Sequence, residues 1–120
     1  MEEKDATWKL YVMYLLIIVF MLTASILQAQ ISLSYFNADW NKANGVEWYD
    51  KLSEVTTLSY IDVAKQKDLA AKYKIAVIPT IIVFKDDEEV ARFQADLSFK
   101  MVATREEVQE EIDNQLMSDF

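Results

Sequence analysis

The chain has 120 residues, which is enough for one small domain and too few for two. It contains no Cys and no His, which excludes disulfides, thiol nucleophiles, imidazole bases and zinc sites built on those residues. The formal net charge is −8, and because an acidic surface repels phosphate backbones, no nucleic-acid partner is expected. A single Gly leaves no glycine-rich phosphate loop, so the sequence predicts no cofactor. The acids Asp86-Asp87-Glu88-Glu89 are consecutive, whereas calcium loops alternate their ligands, so no metal site is predicted either.

The first predicted element is an N-terminal hydrophobic helix. No charged side chain occurs from Leu10 to Asn37. As a helix, the apolar run Leu10–Leu27 spans roughly 27 Å, just enough to cross the hydrocarbon core of a bilayer. The run is either a signal peptide or a retained membrane anchor. For the signal peptide, Thr23-Ala24-Ser25 offers the small residues of a cleavage site, and Ala29 is a second, weaker candidate. A buried core helix fits less well, because such helices usually interrupt their apolar run with polar residues.

Both export interpretations give the same division of the chain. Residues 1–29 form the signal peptide or anchor, and residues 8–27 contact the membrane if the segment is not cleaved. Residues 30–120 form a domain outside the cytoplasm, in the periplasmic part of a cell envelope. The N-terminal charges are mixed, with Glu2, Glu3 and Asp5 against Lys4 and Lys9, so the charge signal for orientation is weak.

From Ile31 onward, hydrophobic periodicity predicts alternating strands and helices in the order β-α-β-α-β-β-α. The alternating first half predicts parallel pairing through crossover connections, and the later hairpin adds antiparallel strands, so we expect an α/β fold with a central mixed sheet. Thr104 and Glu107 form a capping box at the start of the last helix. The predicted strands are 31–36, 58–63, 80–84 and 89–95, and the predicted helices are 46–55, 67–73 and 104–116.

Several segments resemble the thioredoxin family. Phe36-Asn37-Ala38-Asp39-Trp40 is similar to the stretch that leads into the family's redox loop, and Asp68–Ile75 is similar to its second helix. Ile78-Pro79-Thr80 and the hairpin after it resemble the family's cis-proline loop and C-terminal hairpin. The resemblance covers residues 31–116 and implies a minimal thioredoxin-like fold that lacks the family's extra first strand.

The residues that carry the family's chemistry are absent. After Trp40 the family has Cys-x-x-Cys, where this chain has Asn41-Lys42-Ala43-Asn44. An amide cannot form a thiolate or attack a disulfide, so we expect a redox-inactive protein that is not an enzyme. Tyr35 replaces the family's buried acid and Leu58 replaces its lysine. Lys74 replaces a family glycine, which predicts a positive φ at Lys74.

The resemblance also implies a binding site. In the family, the residue before the cis-proline presents its backbone to an extended peptide, which pairs like an added strand. We therefore predict a protein-binding or scaffold module whose site combines the former redox loop with the cis-proline loop. Other roles remain open: the Asn side chains could cap a helix, Trp40 could pack in the fold, and Pro79 could serve the fold alone. The predicted partner-binding residues are Trp40, Asn41, Lys42, Ala43, Asn44, Ile78 and Pro79.

Two other functions compete with peptide binding. One is a fixed subunit of a membrane assembly, with residues 10–27 as its main contact. The other is an enzyme with a non-thiol site, for which Asp39, Asn41 and Tyr35 are the only nearby polar set.

Overall fold

The computed structural model describes residues 2–26 and 29–118. The structure confirms the α/β class and the N-terminal helix. It also confirms the order of the seven elements expected from residue 31 onward, except that a short 3₁₀ helix replaces the first crossover helix. The elements are α1 (Glu2–Ile26), β1 (Ile31–Asn37), a 3₁₀ helix (Asp39–Asn44), β2 (Thr57–Asp62), α2 (Lys67–Lys72), β3 (Thr80–Lys85), β4 (Glu88–Gln94) and α3 (Arg105–Met117).

The four strands form one mixed sheet in the order β2-β1-β3-β4. β1 pairs parallel with β2 and antiparallel with β3, and β3 pairs antiparallel with β4. In this register Phe36 lies opposite Ile61 on one side and Thr80 on the other, and Thr80 lies opposite Gln94. The C-terminal ends of β1 and β4 and the beginning of β3 therefore meet at one edge of the sheet.

Both faces of the sheet are covered, because β1 and β3 bury nearly every side chain. On one face α3 contributes Val108 and Ile112, both fully buried, to a cluster with Leu33 and Val83. On the other face α2 and the turn after it cover a second cluster that includes Phe36 and Ile82. Each large side chain buried in this way stabilises the fold by roughly 1.5–3 kcal/mol.

The capping box predicted for the last helix is confirmed at its N-cap. Thr104 is extended, with φ −90° and ψ 164°, and its hydroxyl accepts a hydrogen bond of 3.2 Å from the Glu107 N–H. The bond satisfies one of the N–H groups that have no partner within the helix. The predicted start of α3 was therefore correct to within one residue.

The helix predicted over 46–55 is wrong. The segment makes isolated turns, in which the Tyr49 N–H donates to the Val46 carbonyl at 3.3 Å and the Lys51 N–H donates to the Trp48 carbonyl at 3.0 Å. Its apolar residues nevertheless pack on the core, as their spacing indicated. The backbone uses side-chain partners from elsewhere instead: the Ser53 N–H donates to the Gln109 side chain at 2.7 Å. A helix of ten residues has little stability of its own, so such tertiary contacts decide its conformation.

Lys74 has the positive φ that the sequence predicted, at 52°. It follows α2, where a left-handed residue commonly ends a helix and glycine is usual. The Arg92 side chain of β4 holds this turn, donating to the Tyr73 carbonyl at 2.7 Å and to the Lys74 carbonyl at 3.2 Å. These two bonds satisfy backbone carbonyls at the end of the helix and fix a conformation that lysine does not favour.

The N-terminal helix α1 differs from the other elements in that its apolar side chains are exposed. Its side chains from Ala6 to Met21 are all exposed, although most of them are apolar. Within residues 2–26 and 29–118, no helix combines the length and apolarity that crossing a membrane requires. Leu27, the last residue of the predicted membrane segment, and residues 119–120 of the predicted domain lie outside the described residues.

Candidate functional site

Three loops meet at the edge of the sheet where β1 ends and β3 begins. The first holds the 3₁₀ helix, the second ends at the cis peptide bond between Ile78 and Pro79, and the third joins β4 to α3. The Ala95 N–H donates to the Pro79 carbonyl at 3.0 Å, which ties the second loop to the third. The Trp40 and Phe99 rings pack edge to face with their centroids 5.3 Å apart, and this contact joins the first loop to the third. We call residues 40–44, 78–79 and 96–100 the loop surface.

A chain of side-chain hydrogen bonds, buried at Asn37 and partly buried at Asn44, supports the first loop. The Asn44 Nδ2 donates to the Asn41 Oδ1 at 3.0 Å, and the Asn41 Nδ2 donates to the Asn37 Oδ1 at 3.1 Å. The Asn37 Nδ2 then donates to the Tyr35 hydroxyl at 3.1 Å. The Asn41 Nδ2 also donates to the Phe99 carbonyl at 3.3 Å. The two amides that replace the family's cysteines thus bond to each other, and one of them joins the first loop to the third. We call Tyr35, Asn37, Asn41 and Asn44 the amide ladder.

The helix-capping interpretation of Asn41 and Asn44 is wrong. The N-cap of the 3₁₀ helix is Ala38, and no side chain makes a cap hydrogen bond there. Asn41 lies at a kink in this segment, with φ −104° and ψ 17°, and Asn44 is its last residue; the two amides bond to each other and to Asn37 instead. A short 3₁₀ helix has few N–H groups to satisfy, whereas a buried amide needs partners for both its oxygen and its nitrogen.

The predicted site residues differ sharply in exposure. Trp40 is 65% exposed, and Lys42 and Ala43 are exposed as well. Asn41, Ile78 and Pro79 are buried. A partner at the loop surface would therefore touch Trp40 and Lys42 directly, whereas Asn41 could influence binding only by holding the loop in place.

The third loop contributes residues that the sequence reasoning missed. Leu97 is 95% exposed and Phe99, at φ 64°, is 41% exposed. Asp96 orders the loop, because its Oδ1 accepts bonds from the Ser98 N–H at 2.8 Å, the Ser98 hydroxyl at 2.6 Å and the Lys100 N–H at 3.1 Å. The bond from the Ser98 hydroxyl is the main cause that lowers the pKa of Asp96, and the backbone donors add to it. The signal in the sequence was an Asp-x-Ser turn flanked by apolar residues.

A cleft of about 410 Å³ opens behind the first loop, on the side of β2. Three tyrosines lie together in its wall: the Tyr35 and Tyr49 rings stack at 4.4 Å, and the Tyr60 ring lies 5.5 Å from Tyr35. Carboxylates and one ammonium group complete the lining. The lining residues are Tyr35, Asn37, Asp39, Lys42, Ala43, Gly45, Val46, Glu47, Tyr49 and Tyr60. We call this the tyrosine cleft.

Acidic groups next to the cleft set its electrostatics. Burial raises the pKa of Tyr60, and the negative charges of Asp62 and Asp39 raise it further. Partial burial tends to raise the pKa of Asp62, but hydrogen bonds from the N–H groups of Ala64 and Asp39 outweigh it, so the net direction is down. Asp62 therefore stays ionised at neutral pH and is poorly suited to act as a general acid.

Neither a metal site nor a thiol site is found at this edge. Among residues 2–26 and 29–118, no three acidic side chains lie close enough together to hold a metal ion. The full sequence contains no cysteine, so thiol–disulfide exchange is chemically excluded. The loop surface instead offers apolar rings and backbone groups.

Curated relatives carry the thioredoxin name but match only part of the chain. A thioredoxin of Mycoplasma pneumoniae is 39% identical over 62 residues, which are 48% of this chain and 61% of that protein. The chloroplastic thioredoxin Y1 of Arabidopsis thaliana is 45% identical over 45 residues, which are 38% of this chain and 26% of that protein. The matched parts thus span less than two thirds of either relative.

Solved thioredoxins share the fold. Thioredoxin 1 of Thermosipho africanus superposes with a TM-score of 0.57 at 22% identity, over 73% of this chain and 97% of that one. A thioredoxin of Fasciola hepatica superposes with a TM-score of 0.52 at 28% identity, over 72% of this chain and 82% of that one. The family model for thioredoxin matches residues 23–107, which include β1 to β4 and the three loops. The chain therefore belongs to the thioredoxin family.

Proposed function

We propose that this chain is a redox-inactive member of its family that binds an extended segment of another protein or a peptide at the loop surface. One observation carries the proposal: two of the three loops that meet here carry exposed apolar side chains, and the third contains a backbone position whose N–H and carbonyl make no hydrogen bond. Trp40, Leu97 and Phe99 are the exposed side chains. Within the described part of the chain, neither the N–H nor the carbonyl of Ile78 makes a hydrogen bond.

These two features suit one mode of recognition. An extended segment can pair its main chain with Ile78, as an added strand does, while its side chains pack against the aromatic rings. A tryptophan buries roughly 150–250 Å² in all, and Trp40 is 65% exposed, so covering the rest contributes on the order of 2–4 kcal/mol at roughly 25 cal/mol per Å². Much of this gain offsets the loss of freedom on association, so we expect micromolar affinity.

The proposal is tested by selecting peptides from a random displayed library against the full-length chain and measuring their affinity by fluorescence anisotropy. Trp40→Ala and Leu97→Ala should each weaken binding about tenfold, because each removes an apolar contact of roughly 1.4 kcal/mol or more. Val102→Ala is the matched control, since Val102 is also exposed and apolar but lies outside the loop surface. It should change the affinity less than twofold.

A second readout follows the backbone. In an amide spectrum of the labelled chain, the Ile78 N–H should move strongly when a selected peptide is added, because it gains a hydrogen bond. Equal weakening by Val102→Ala, or peptide binding that leaves Ile78 unmoved, would count against the loop surface as the site.

Absence of enzymatic activity is part of the same proposal. Reduction of a disulfide substrate should proceed at the background rate, because no sulfur is available to form a mixed disulfide. Turnover above background with the purified chain would refute this part.

We further propose that the chain is exported and either anchored by its N-terminal segment or released after cleavage. The support is the apolar run Leu10–Leu27 and the exposure of the apolar side chains from Leu10 to Met21. Such a surface needs lipid or another protein to cover it.

The mass of the mature chain distinguishes cleavage from retention. Extraction from membranes at high pH distinguishes an anchor from a peripheral contact, and recovery of the uncleaved chain in the cytoplasmic fraction would contradict export.

A further inference from the structure

The amide ladder has a direction, and backbone groups at its two ends fix it. The Phe99 carbonyl can only accept, so the atom of Asn41 that faces it is the nitrogen, Nδ2. That nitrogen also donates to the oxygen of Asn37, so the nitrogen of Asn37 faces Tyr35. At the far end the Val46 N–H, which can only donate, contacts the Tyr35 hydroxyl at 2.8 Å. Every bond in the ladder therefore points toward Tyr35 or ends on a backbone carbonyl.

The Tyr35 hydroxyl consequently accepts two hydrogen bonds, one from Asn37 and one from Val46. A phenolic oxygen that accepts from two donors still carries its own proton. Within the described part of the chain this hydroxyl makes no further hydrogen bond, and Tyr35 is 97% buried, with 3% of its surface exposed. A buried donor without an acceptor is unfavourable by about 1–3 kcal/mol, so a ligand atom that accepted this proton would gain a favourable hydrogen bond.

The hydroxyl lies at the tyrosine cleft. Tyr35 and its two donor residues, Asn37 and Val46, all line the cleft, and so does Gly45. A side chain at Gly45 would bring its Cβ to 3.6 Å from the Tyr35 hydroxyl, so the glycine leaves the approach to that oxygen open. The volume of about 410 Å³ is that of a small-molecule site.

The lining selects the charge of what can bind. Asp39 and Glu47 contribute two carboxylates to the lining, against the single ammonium of Lys42. Beside the cleft, Lys65 pairs with Asp39 at 3.0 Å and the ionised Asp62 lies next to Tyr60, so the carboxylates still outnumber the ammonium groups by one. A ligand that brings a negative charge would be repelled. The stacked rings of Tyr35 and Tyr49, with Tyr60 beside them, favour a flat or apolar group next to the acceptor atom.

We propose that the tyrosine cleft binds an uncharged ligand through a carbonyl or amide oxygen that accepts a hydrogen bond from the Tyr35 hydroxyl, while a flat group on the ligand packs against the tyrosines. The acceptor is either on a small molecule or on the main chain of a bound peptide. The cleft shares Lys42 and Ala43 with the loop surface, but its lining includes neither Ile78 nor Leu97, and the Tyr35 hydroxyl can bind an acceptor whether or not a peptide binds at the loop surface.

The test uses three probes of similar shape on the full-length chain, followed by amide and tyrosine NMR. N,N-dimethylbenzamide is a neutral acceptor, benzoate is an anionic acceptor, and trimethylphenylammonium is a cation without an acceptor. We expect N,N-dimethylbenzamide to bind at least tenfold tighter than either of the others and to shift the signals of Tyr35, Gly45 and Tyr49. Equal or tighter binding of trimethylphenylammonium would overturn the proposal, as would no saturable binding of N,N-dimethylbenzamide.

Tyr35→Phe removes the donor and keeps the ring, and it should weaken N,N-dimethylbenzamide binding at least tenfold. Tyr73→Phe is the control, because it also removes one hydroxyl, but Tyr73 packs on the second core cluster and does not line the cleft, so the affinity should change less than twofold. Since Tyr35→Phe also removes the acceptor for two donors, a measurement on the unaltered chain stands beside it. The hydroxyl proton of Tyr35 should shift downfield with N,N-dimethylbenzamide, and an unmoved proton would overturn the proposal.

Competition identifies the source of the acceptor. If a peptide selected for the loop surface displaces N,N-dimethylbenzamide, the natural acceptor is a peptide carbonyl, and the two sites are continuous. If both bind at once, the cleft serves a separate small molecule. Failure of the peptide selection alone would leave the probe results, and therefore this inference, standing.

Discussion

Removing the Asn41 side chain tests whether the amide ladder, rather than apolar packing, holds the loop surface together. Asn41 is 4% exposed and takes part in three side-chain hydrogen bonds, to Asn37, Phe99 and Asn44. Asn41→Ala removes all three at once. It leaves the Asn37 Oδ1 and the Phe99 carbonyl without their donor in a partly or fully buried position.

The expected loss follows from the number of bonds. A typical hydrogen bond contributes about 0.5–1.5 kcal/mol net, and a buried group left without its partner costs about 1–3 kcal/mol. Water can reach the Asn44 end, which is only partly buried, so the full sum does not apply. We expect Asn41→Ala to lower the free energy of unfolding by about 2–4 kcal/mol, a large share of the roughly 5–15 kcal/mol typical of a domain.

The assay is urea unfolding of the full-length chain, followed by tryptophan fluorescence. With a denaturant slope of about 1–1.5 kcal/mol per M, the midpoint should fall by roughly 2 M. Asn44→Ala is the matched control, because it removes one bond at the more exposed end and should lower the free energy of unfolding by only about 0.5–1 kcal/mol. A loss below 0.5 kcal/mol for Asn41→Ala, or equal losses for both variants, would refute the reasoning.

Three further predictions concern single residues. Lys74→Gly should raise the free energy of unfolding by about 0.5–1 kcal/mol, because glycine suits the φ of 52° at this position. Lys72→Gly, within α2, should lower it by a similar amount. If the denaturant midpoints of both variants shifted in the same direction, this reasoning would be contradicted. The hydrogen bond from the Ser98 hydroxyl, with smaller contributions from backbone N–H groups, lowers the pKa of Asp96 in the folded protein. The ionised carboxylate therefore stabilises the fold above the unfolded pKa of 3.8, and this stabilisation is lost as the pH falls through the lower folded pKa. Asp96→Asn should therefore flatten the acid limb of a stability–pH curve, and an unchanged limb would show that the carboxylate contributes nothing. Thr104→Ala should lower the free energy of unfolding by about 1 kcal/mol and Thr104→Ser by much less, as measured by urea unfolding; equal losses would argue against the hydroxyl cap.

The predicted elements were correct where the local sequence pattern and the tertiary contacts favour the same structure. β1, β3 and α3 were predicted to within one residue at most ends, because their apolar residues repeat with the period of the element and their caps and turns are local. The segment 46–55 shows the opposite case. Its apolar spacing correctly indicated burial, but its backbone is bound by Tyr35 and Gln109, which lie far away in sequence, and these contacts replace the helix.

The candidate site was predictable only in part, for the same reason. Ile78, Pro79 and the 40–44 loop could be proposed from the sequence because a contiguous motif marks them, and their role in binding stays a prediction. Leu97, Phe99 and the tyrosine cleft were not found, because Tyr35, Tyr49 and Tyr60 are brought together only by the pairing of β1 with β2 and by the turns after the 3₁₀ helix. Such a cleft has no signature along the chain.

By itself, the sequence determined the family, the α/β order, the exclusion of thiol chemistry and the left-handed turn at Lys74. Each of these depends on residue types and short spacings, which are properties of neighbouring positions. Only the tertiary structure decided that Asn41 and Asn44 bond to each other and to Asn37 rather than cap a helix. It also decided that the ladder ends on a buried Tyr35 hydroxyl at the wall of a cleft. The reason is that a hydrogen bond between side chains requires positions within about 3 Å of each other, and folding, not spacing along the chain, sets those distances.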